Sequence, residues 1–116
     1  MLRWFAEKCT PEQDVAHIRR WALDILSRAE PDAADQLFTM EFPGEVDWAS
    51  RLPQLRIPTL LIHGEKDVFV QATAMQYLAS LIPKSELVVL EGSGHLPAMV
   101  RPTDVARAIN EFFHMT

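Results

Sequence analysis

Apolar residues recur along this chain in two rhythms. From Val15 to Leu26 the apolar positions Val15, Ile18, Trp21, Ala22, Ile25 and Leu26 fall at three- and four-residue steps, while His17, Arg19, Arg20, Asp24 and Arg28 fall mostly between them. That spacing predicts one amphipathic helix. Ahead of it, residues 1–9 fit a short helix with Leu2, Trp4 and Phe5 turned inward. Thr10-Pro11-Glu12-Gln13 reads as the start of the longer helix, Thr10 as its cap, Pro11 in its first turn and Gln13 completing a capping box. Pro31-Asp32 predicts a further helix, with Ala34, Leu37, Phe38 and Met40 as its apolar side, ending before the turn signal Phe42-Pro43-Gly44. Asp47 to Leu55 reads as a linker with a short helical turn.

The second rhythm is an unbroken apolar run. Thr59, Leu60, Leu61 and Ile62 follow Pro58 without polar alternation, which predicts a strand covered on both faces, as in a parallel sheet flanked by helices. Glu86 to Leu90 predicts a second strand. Between them Met75, Leu78, Ala79, Leu81 and Ile82 mark one side of a helix, stopped by Pro83-Lys84-Ser85, so the unit is a parallel crossover of right-handed sense. Pro102-Thr103-Asp104 opens a last helix whose Val105, Ala106, Ile109, Phe112 and Phe113 are expected to cover a sheet face.

Each strand is followed by a glycine-marked loop that carries one titratable residue. Gly64 lets the chain leave the first strand sharply, and Asp67 follows three residues later; the second strand runs into Gly92-Ser93-Gly94-His95. Open α/β sheets place their chemistry at the carboxyl ends of strands. Adjacent parallel strands lie about 5 Å apart, which brings two such loops within reach of each other. Read singly, Asp67 is a carboxylate capping the next helix and His95 a loop histidine bonded to backbone. Read together, they are candidates for a carboxylate–imidazole pair. His63, Glu65 and Asp67, spaced by two, suggest a metal set, but metal sites want three or four converging ligands and no other His or Cys cluster supports one. His17 and His114 read as solvated residues.

The segments Arg56-Ile57-Pro58-Thr59-Leu60-Leu61-Ile62-His63-Gly64-Glu65-Lys66-Asp67 and Gly92-Ser93-Gly94-His95-Leu96-Pro97 resemble the C-terminal part of an α/β-hydrolase, and the resemblance covers about Trp48 to Phe113. It implies a partial α/β-hydrolase fold of two to three parallel strands with flanking helices. It divides the chain into a helical cap-like segment over 1–47 and the C-terminal part of the core over 48–116. Asp67 and His95 would then be the acid and the histidine of a catalytic triad acting on an ester or amide. Trp4, Phe5, Trp21, Phe38 and Met40 would either line a substrate pocket or pack into the core. The nucleophile elbow Gly-x-Ser-x-Gly of that family has no counterpart here, for the only Gly-Ser-Gly belongs to the histidine loop and Ser27, Ser50, Ser80 and Ser85 lack flanking glycines. An acidic residue that the family commonly carries before the last helix's proline is replaced by Val100-Arg101, which puts the anchoring of that helix in question.

The composition narrows the class. The chain has 116 residues, 48% of them hydrophobic and 23% charged, with a net charge of −5, which fits one α/β domain and argues against nucleic acid as a partner. The single cysteine, Cys9, excludes an internal disulfide, fits a reducing, cytoplasmic setting and reads as a helix-end residue. No apolar run approaches the ~20 residues of a membrane helix, and nothing calls for a cofactor or metal. Three functions stay open: part of a hydrolase whose nucleophile comes from elsewhere, a non-catalytic binding or oligomerisation module, or a truncated product. Two or three parallel strands leave an unsatisfied sheet edge, so a homo-oligomer or a complementary segment is expected as partner.

Overall fold

The computed structural model describes residues 1–33 and 47–115. Helix α1 (Leu2–Cys9) and helix α2 (Ala16–Ser27) come first, and residues 31–33 are helical. The expected apolar side of the helix opened by Pro31 lies outside the described residues. Helix α3 (Trp48–Arg51) follows, capped by the Asp47 carboxylate, which accepts from Ser50 N–H at 3.1 Å; a 3-10 turn (Leu52–Gln54) ends the linker. Strand β1 (Thr59–Gly64), helix α4 (Ala72–Leu81) and strand β2 (Ser85–Leu90) form the crossover, and helices α5 (Pro97–Val100) and α6 (Pro102–Met115) complete the chain.

The sheet has two strands among the described residues, paired parallel in the register Thr59↔Ser85 through Gly64↔Leu90. Parallel strands, a helical crossover and a closing amphipathic helix are the elements that the resemblance implies. The β1 residues Thr59 to Ile62 are half-buried rather than fully covered, and only His63 and Gly64 are buried, because the described helices cover each face in part. On α4, Met75, Leu78 and Ala79 face inward toward buried Ile82, as the pattern predicts.

Three local expectations are corrected. Thr10 does not open α2; it closes α1, its N–H and its hydroxyl both donating to Ala6 O, at 3.2 and 2.8 Å. A threonine can satisfy either helix end, and here the carbonyl four residues back wins. Helix α2 starts at Ala16 with no side-chain cap, and residues 10–15 form a loop instead. On α1 the inward face is Phe5, Ala6 and Cys9, leaving Leu2 and Trp4 exposed. On α6 the inward positions are Val105, Ala108 and Phe112, three and four apart, whereas Ala106, Ile109 and Phe113 are exposed. That helix is nonetheless anchored: Arg101 Nε donates to Asp104 Oδ2 in its first turn (2.8 Å), and Arg101 also reaches Glu91 O (3.4 Å).

The glycines divide by reason. Gly92 has φ +72, a left-handed conformation that glycine adopts without strain. Gly64 has no positive φ; it is small because β1 runs hard against the histidine loop, and a Cβ there would overlap the carbonyl oxygens of Ser93 (2.6 Å) and Gly94. Its role is close approach, not the turn. Gly64→Ala must therefore push backbone against backbone and is expected to destabilise by roughly 2–3 kcal/mol or more. Gly92→Ala, with open space around it, costs only the left-handed strain of about 1–2 kcal/mol. Urea unfolding of both variants checks the order; equal losses would contradict it.

Candidate active site

The site is assembled by backbone continuity. Where β1 and β2 end, the chain keeps bonding across the gap: Glu65 N–H donates to Leu90 O (3.0 Å) and Lys66 N–H to Ser93 O (2.7 Å). The Glu65 carboxylate accepts from Gly92 N–H (2.8 Å). These bonds hold the Asp67 loop and the histidine loop side by side.

Asp67 and His95 meet there. His95 Nδ1 lies 2.8 Å from Asp67 Oδ2. An ionised carboxylate only accepts, so a neutral imidazole here carries its proton on Nδ1 and its lone pair on Nε2. The second oxygen, Oδ1, accepts from Phe69 N–H (2.8 Å) and Val70 N–H (3.0 Å), so the carboxylate is held by its own loop as well as by the imidazole. The Asp67 side chain is 5% exposed and that of His95 34%. Nε2 has no hydrogen-bond partner among the described residues. The Phe69 ring stands edge-on to the imidazole at 5.2 Å between centroids and packs on Phe5 at 5.0 Å, fixing the ring plane by an apolar contact.

The electrostatics follow from these contacts. Burial by itself raises the Asp67 carboxyl. The hydrogen bond from His95 and the two backbone N–H groups outweigh it and hold the group below its ordinary value of 3.8. Burial, and then the Asp67 charge, push the Cys9 thiol up, so Cys9 is a neutral thiol and a poor nucleophile.

An apolar hollow of about 260 Å³ opens beside the imidazole, lined by His95 and Leu96 together with Phe5, Trp21, Ile25 and Leu26 among others. The apolar stripe of α2 thus forms a wall of the hollow, and no residue of that helix is fully buried. Phe5 and Trp21 line it; Trp4 does not, and Phe38 and Met40 lie outside the described residues. The residues considered for a metal take separate duties. Glu65 holds Gly92, Asp67 holds His95, and His63 is buried on β1.

Sequence reasoning misses the N-terminal contribution. Cys9 O accepts from His95 N–H (2.9 Å), and Glu12 Oε1 accepts from Gly94 N–H (2.6 Å) and from the Ser93 hydroxyl (3.2 Å). These bonds join residues more than eighty positions apart, which no local pattern encodes. The one trace is the pair of glycines: Gly94 is needed because a Cβ would meet Pro11 and Cys9 O (2.7 Å).

A parallel crossover with a carboxylate–imidazole pair above its strand ends is an α/β arrangement, in which sites lie at the carboxyl ends of the strands. The family model described as alpha/beta hydrolase fold matches residues 17–102, and the chain belongs to that family. It is 32% identical over 72 residues to a pimeloyl-[acyl-carrier protein] methyl ester esterase of Aromatoleum aromaticum, covering 62% of this chain and 29% of that protein. It is 28% identical over 100 residues to the enzyme of the same name from Vibrio vulnificus, covering 86% and 38%. Among solved structures, an esterase from Rhodococcus sp. ECU1013 superposes with a TM-score of 0.82 at 25% identity over 96% of this chain and 39% of that one. A thermophilic esterase from Thermogutta terrifontis does so with a TM-score of 0.57 at 38% identity over 60% and 25%. The chain thus spans well under half the length of these relatives. No helix among the described residues is long and apolar enough to cross a membrane.

The lowered Asp67 value carries a pH dependence with a definite sign. The folded carboxyl holds its proton less tightly than the unfolded one. The stabilisation is therefore fully present above the ordinary value near 3.8 and lost as pH falls through the lowered folded value. Asp67→Asn is expected to be less stable than the parent at pH 7 by about 1–2 kcal/mol, the difference between charge-assisted and neutral hydrogen bonds. The gap should close below about pH 4. Denaturation midpoints of both proteins from pH 7 to pH 2.5 check this; a gap independent of pH would contradict it.

Proposed function

We propose that this chain supplies the acid–base half of an ester-hydrolysing centre. Asp67 orients His95 and balances its charge, and His95 Nε2 takes the proton of the attacking hydroxyl and returns it to the leaving group. The single observation that carries this reading is the 2.8 Å bond from His95 Nδ1 to a carboxylate whose other oxygen is already held by two backbone N–H groups. That arrangement leaves Nε2 as the free base. The apolar hollow against the imidazole suits a hydrocarbon portion of the substrate, and esters are named as the substrates of the relatives in both comparisons. In this reading 1–47 is a helical cap-like segment, whose described helices α1 and α2 wall the hollow, 48–116 is the C-terminal part of the core, and no cofactor or metal is used.

The nucleophile is not among this chain's serines. Ser27, Ser50 and Ser80 donate to the carbonyls of Asp24, Asp47 and Tyr77, Ser85 to those of Ala79 and Ile82, and Ser93 to Glu12. None is bonded to His95. In this reading the attacking hydroxyl and its oxyanion hole come from polypeptide other than these residues.

A second reading, a non-catalytic module that self-associates or pairs with a complementary segment, is favoured by one observation. Ile57 (64%), Val89 (42%) and Ile109 (39%) are exposed, and the sheet has two strands among the described residues. Sedimentation at increasing concentration separates a self-associating chain from a monomer.

The catalytic reading is tested by placing this chain where the matching 39% of the Rhodococcus esterase lies, and assaying a short-chain aryl ester. The folded hybrid should turn over the ester, and Asp67→Asn and His95→Ala should each lower kcat by about a hundredfold or more. The 116-residue chain alone should hydrolyse no faster than its own His95→Ala variant. A folded hybrid no more active than its His95→Ala form would overturn the proposal.

A further inference from the structure

His95 sits in a loop gripped from two sides. One grip is the β1 side already described, through Glu65, Lys66 and Asp67. The other comes from the start of the chain. Glu12 Oε1 gathers Gly94 N–H (2.6 Å) and the Ser93 hydroxyl (3.2 Å), and Cys9 O takes His95 N–H (2.9 Å). Ser93 is completely buried, and Gly94 is buried beside it. Two consecutive N–H groups leading into the histidine, and the hydroxyl before them, thus find their acceptors on a segment of the chain eighty residues away.

That segment is itself held. The Arg19 guanidinium, projecting from α2, donates to Thr10 O (2.6 Å), Glu12 O (2.9 Å) and Thr10 Oγ1 (3.0 Å). A half-buried arginine whose Nε and Nη2 donate to Thr10 and Glu12 ties the loop between α1 and α2 into a bracket. The second Glu12 oxygen is buried with no hydrogen-bond partner among the described residues, so the carboxylate is placed there at an energetic cost. That cost is hard to explain if Glu12 only fills a gap. It makes sense if the side chain's reach is what matters.

We infer that Glu12 is the positioning residue for His95: its carboxylate fixes the backbone immediately before the histidine, so that Nδ1 stays within hydrogen-bond distance of Asp67. This rests on the Asp67–His95 reading of the site. Glu12 does not touch the imidazole. It acts through the Ser93–Gly94 backbone, and a displacement of about 1 Å there is enough to break the bond to Asp67. Without the carboxylate, the buried Ser93 hydroxyl and Gly94 N–H lose their acceptor, and the loop satisfies them by moving toward water.

The test uses the 116-residue chain with Glu12→Gln, Glu12→Asp and Asp67→Asn, reading the hydrogen-bonded His95 Nδ1 proton by NMR and the thermal midpoint beside it. Glutamine keeps the length and an acceptor oxygen, so Glu12→Gln should retain the resonance. Aspartate keeps the charge but falls a methylene short. Glu12→Asp should lose the resonance or speed its solvent exchange by about tenfold, the equivalent of one weakened hydrogen bond, with the amide protection of β1 and β2 unchanged. A folded Glu12→Asp with the parent's Nδ1 exchange would overturn the inference. So would Glu12→Gln losing the signal as fully as Glu12→Asp, which would make charge, not reach, the operative property. Should Glu12→Asp not fold, Arg19→Ala loosens the bracket without touching the loop; faster Nδ1 exchange supports the inference and unchanged exchange overturns it. If Asp67→Asn leaves the resonance untouched, the pair itself fails, a result distinct from a failure confined to Glu12.

Discussion

The parallel pairing of β1 with β2 is the constraint on which the rest of the structure depends. Its register ends at Gly64↔Leu90, and the backbone goes on bonding past that point through Glu65 and Lys66. The two loops leave the sheet as a joined pair instead of as separate excursions. Gly64 makes this possible, since any side chain there would collide with the histidine loop. Once the loops are joined, the three-residue offset from Gly64 to Asp67 and the five-residue offset from Leu90 to His95 carry the two side chains to one point. The carboxylate is held by its own loop, through Phe69 and Val70, and by the imidazole.

That arrangement explains the electrostatics. A half-exposed imidazole beside a nearly buried carboxylate would be a weak arrangement if the carboxylate had to choose among partners. Here it has none left to choose, because one oxygen is taken by backbone and the other by His95. Buried charge is tolerated when both carboxylate oxygens are hydrogen-bonded. The same logic leaves Nε2 without a hydrogen-bond partner among the described residues, on a histidine that lines a hollow walled by α1 and α2.

The sequence carries the fold to the extent that it is written in local periodicity. The unbroken run Thr59–Ile62, the glycine after it and the helix over Met75 to Ile82 each specify their own element, and β1, α4 and β2 follow. The proximity of Asp67 and His95 is legible for the same reason: each lies at a fixed short distance beyond a strand end, and parallel neighbours align those ends. What local pattern cannot carry is the N-terminal bracket. Thr10, Pro11 and Gln13 make a valid helix start, yet Thr10 closes the preceding helix instead, because its hydroxyl serves Ala6 O and its carbonyl serves Arg19. Glu12 reads as one more acidic residue in a first turn. The apolar positions Ile109 and Phe113 fit the helical period of α6 but lie outside its inward stripe, since a period gives the stripe's spacing and leaves its width to tertiary packing.

The central claim is that Asp67 fixes the proton of His95 on Nδ1 and leaves Nε2 as the base. Long-range proton–nitrogen correlation NMR at neutral pH, on protein labelled at histidine nitrogen, reads the tautomer directly. The account predicts a protonated Nδ1 and an unprotonated Nε2 for His95, with that preference lost in Asp67→Asn. A neutral imidazole carrying its proton on Nε2 in the parent protein would contradict it.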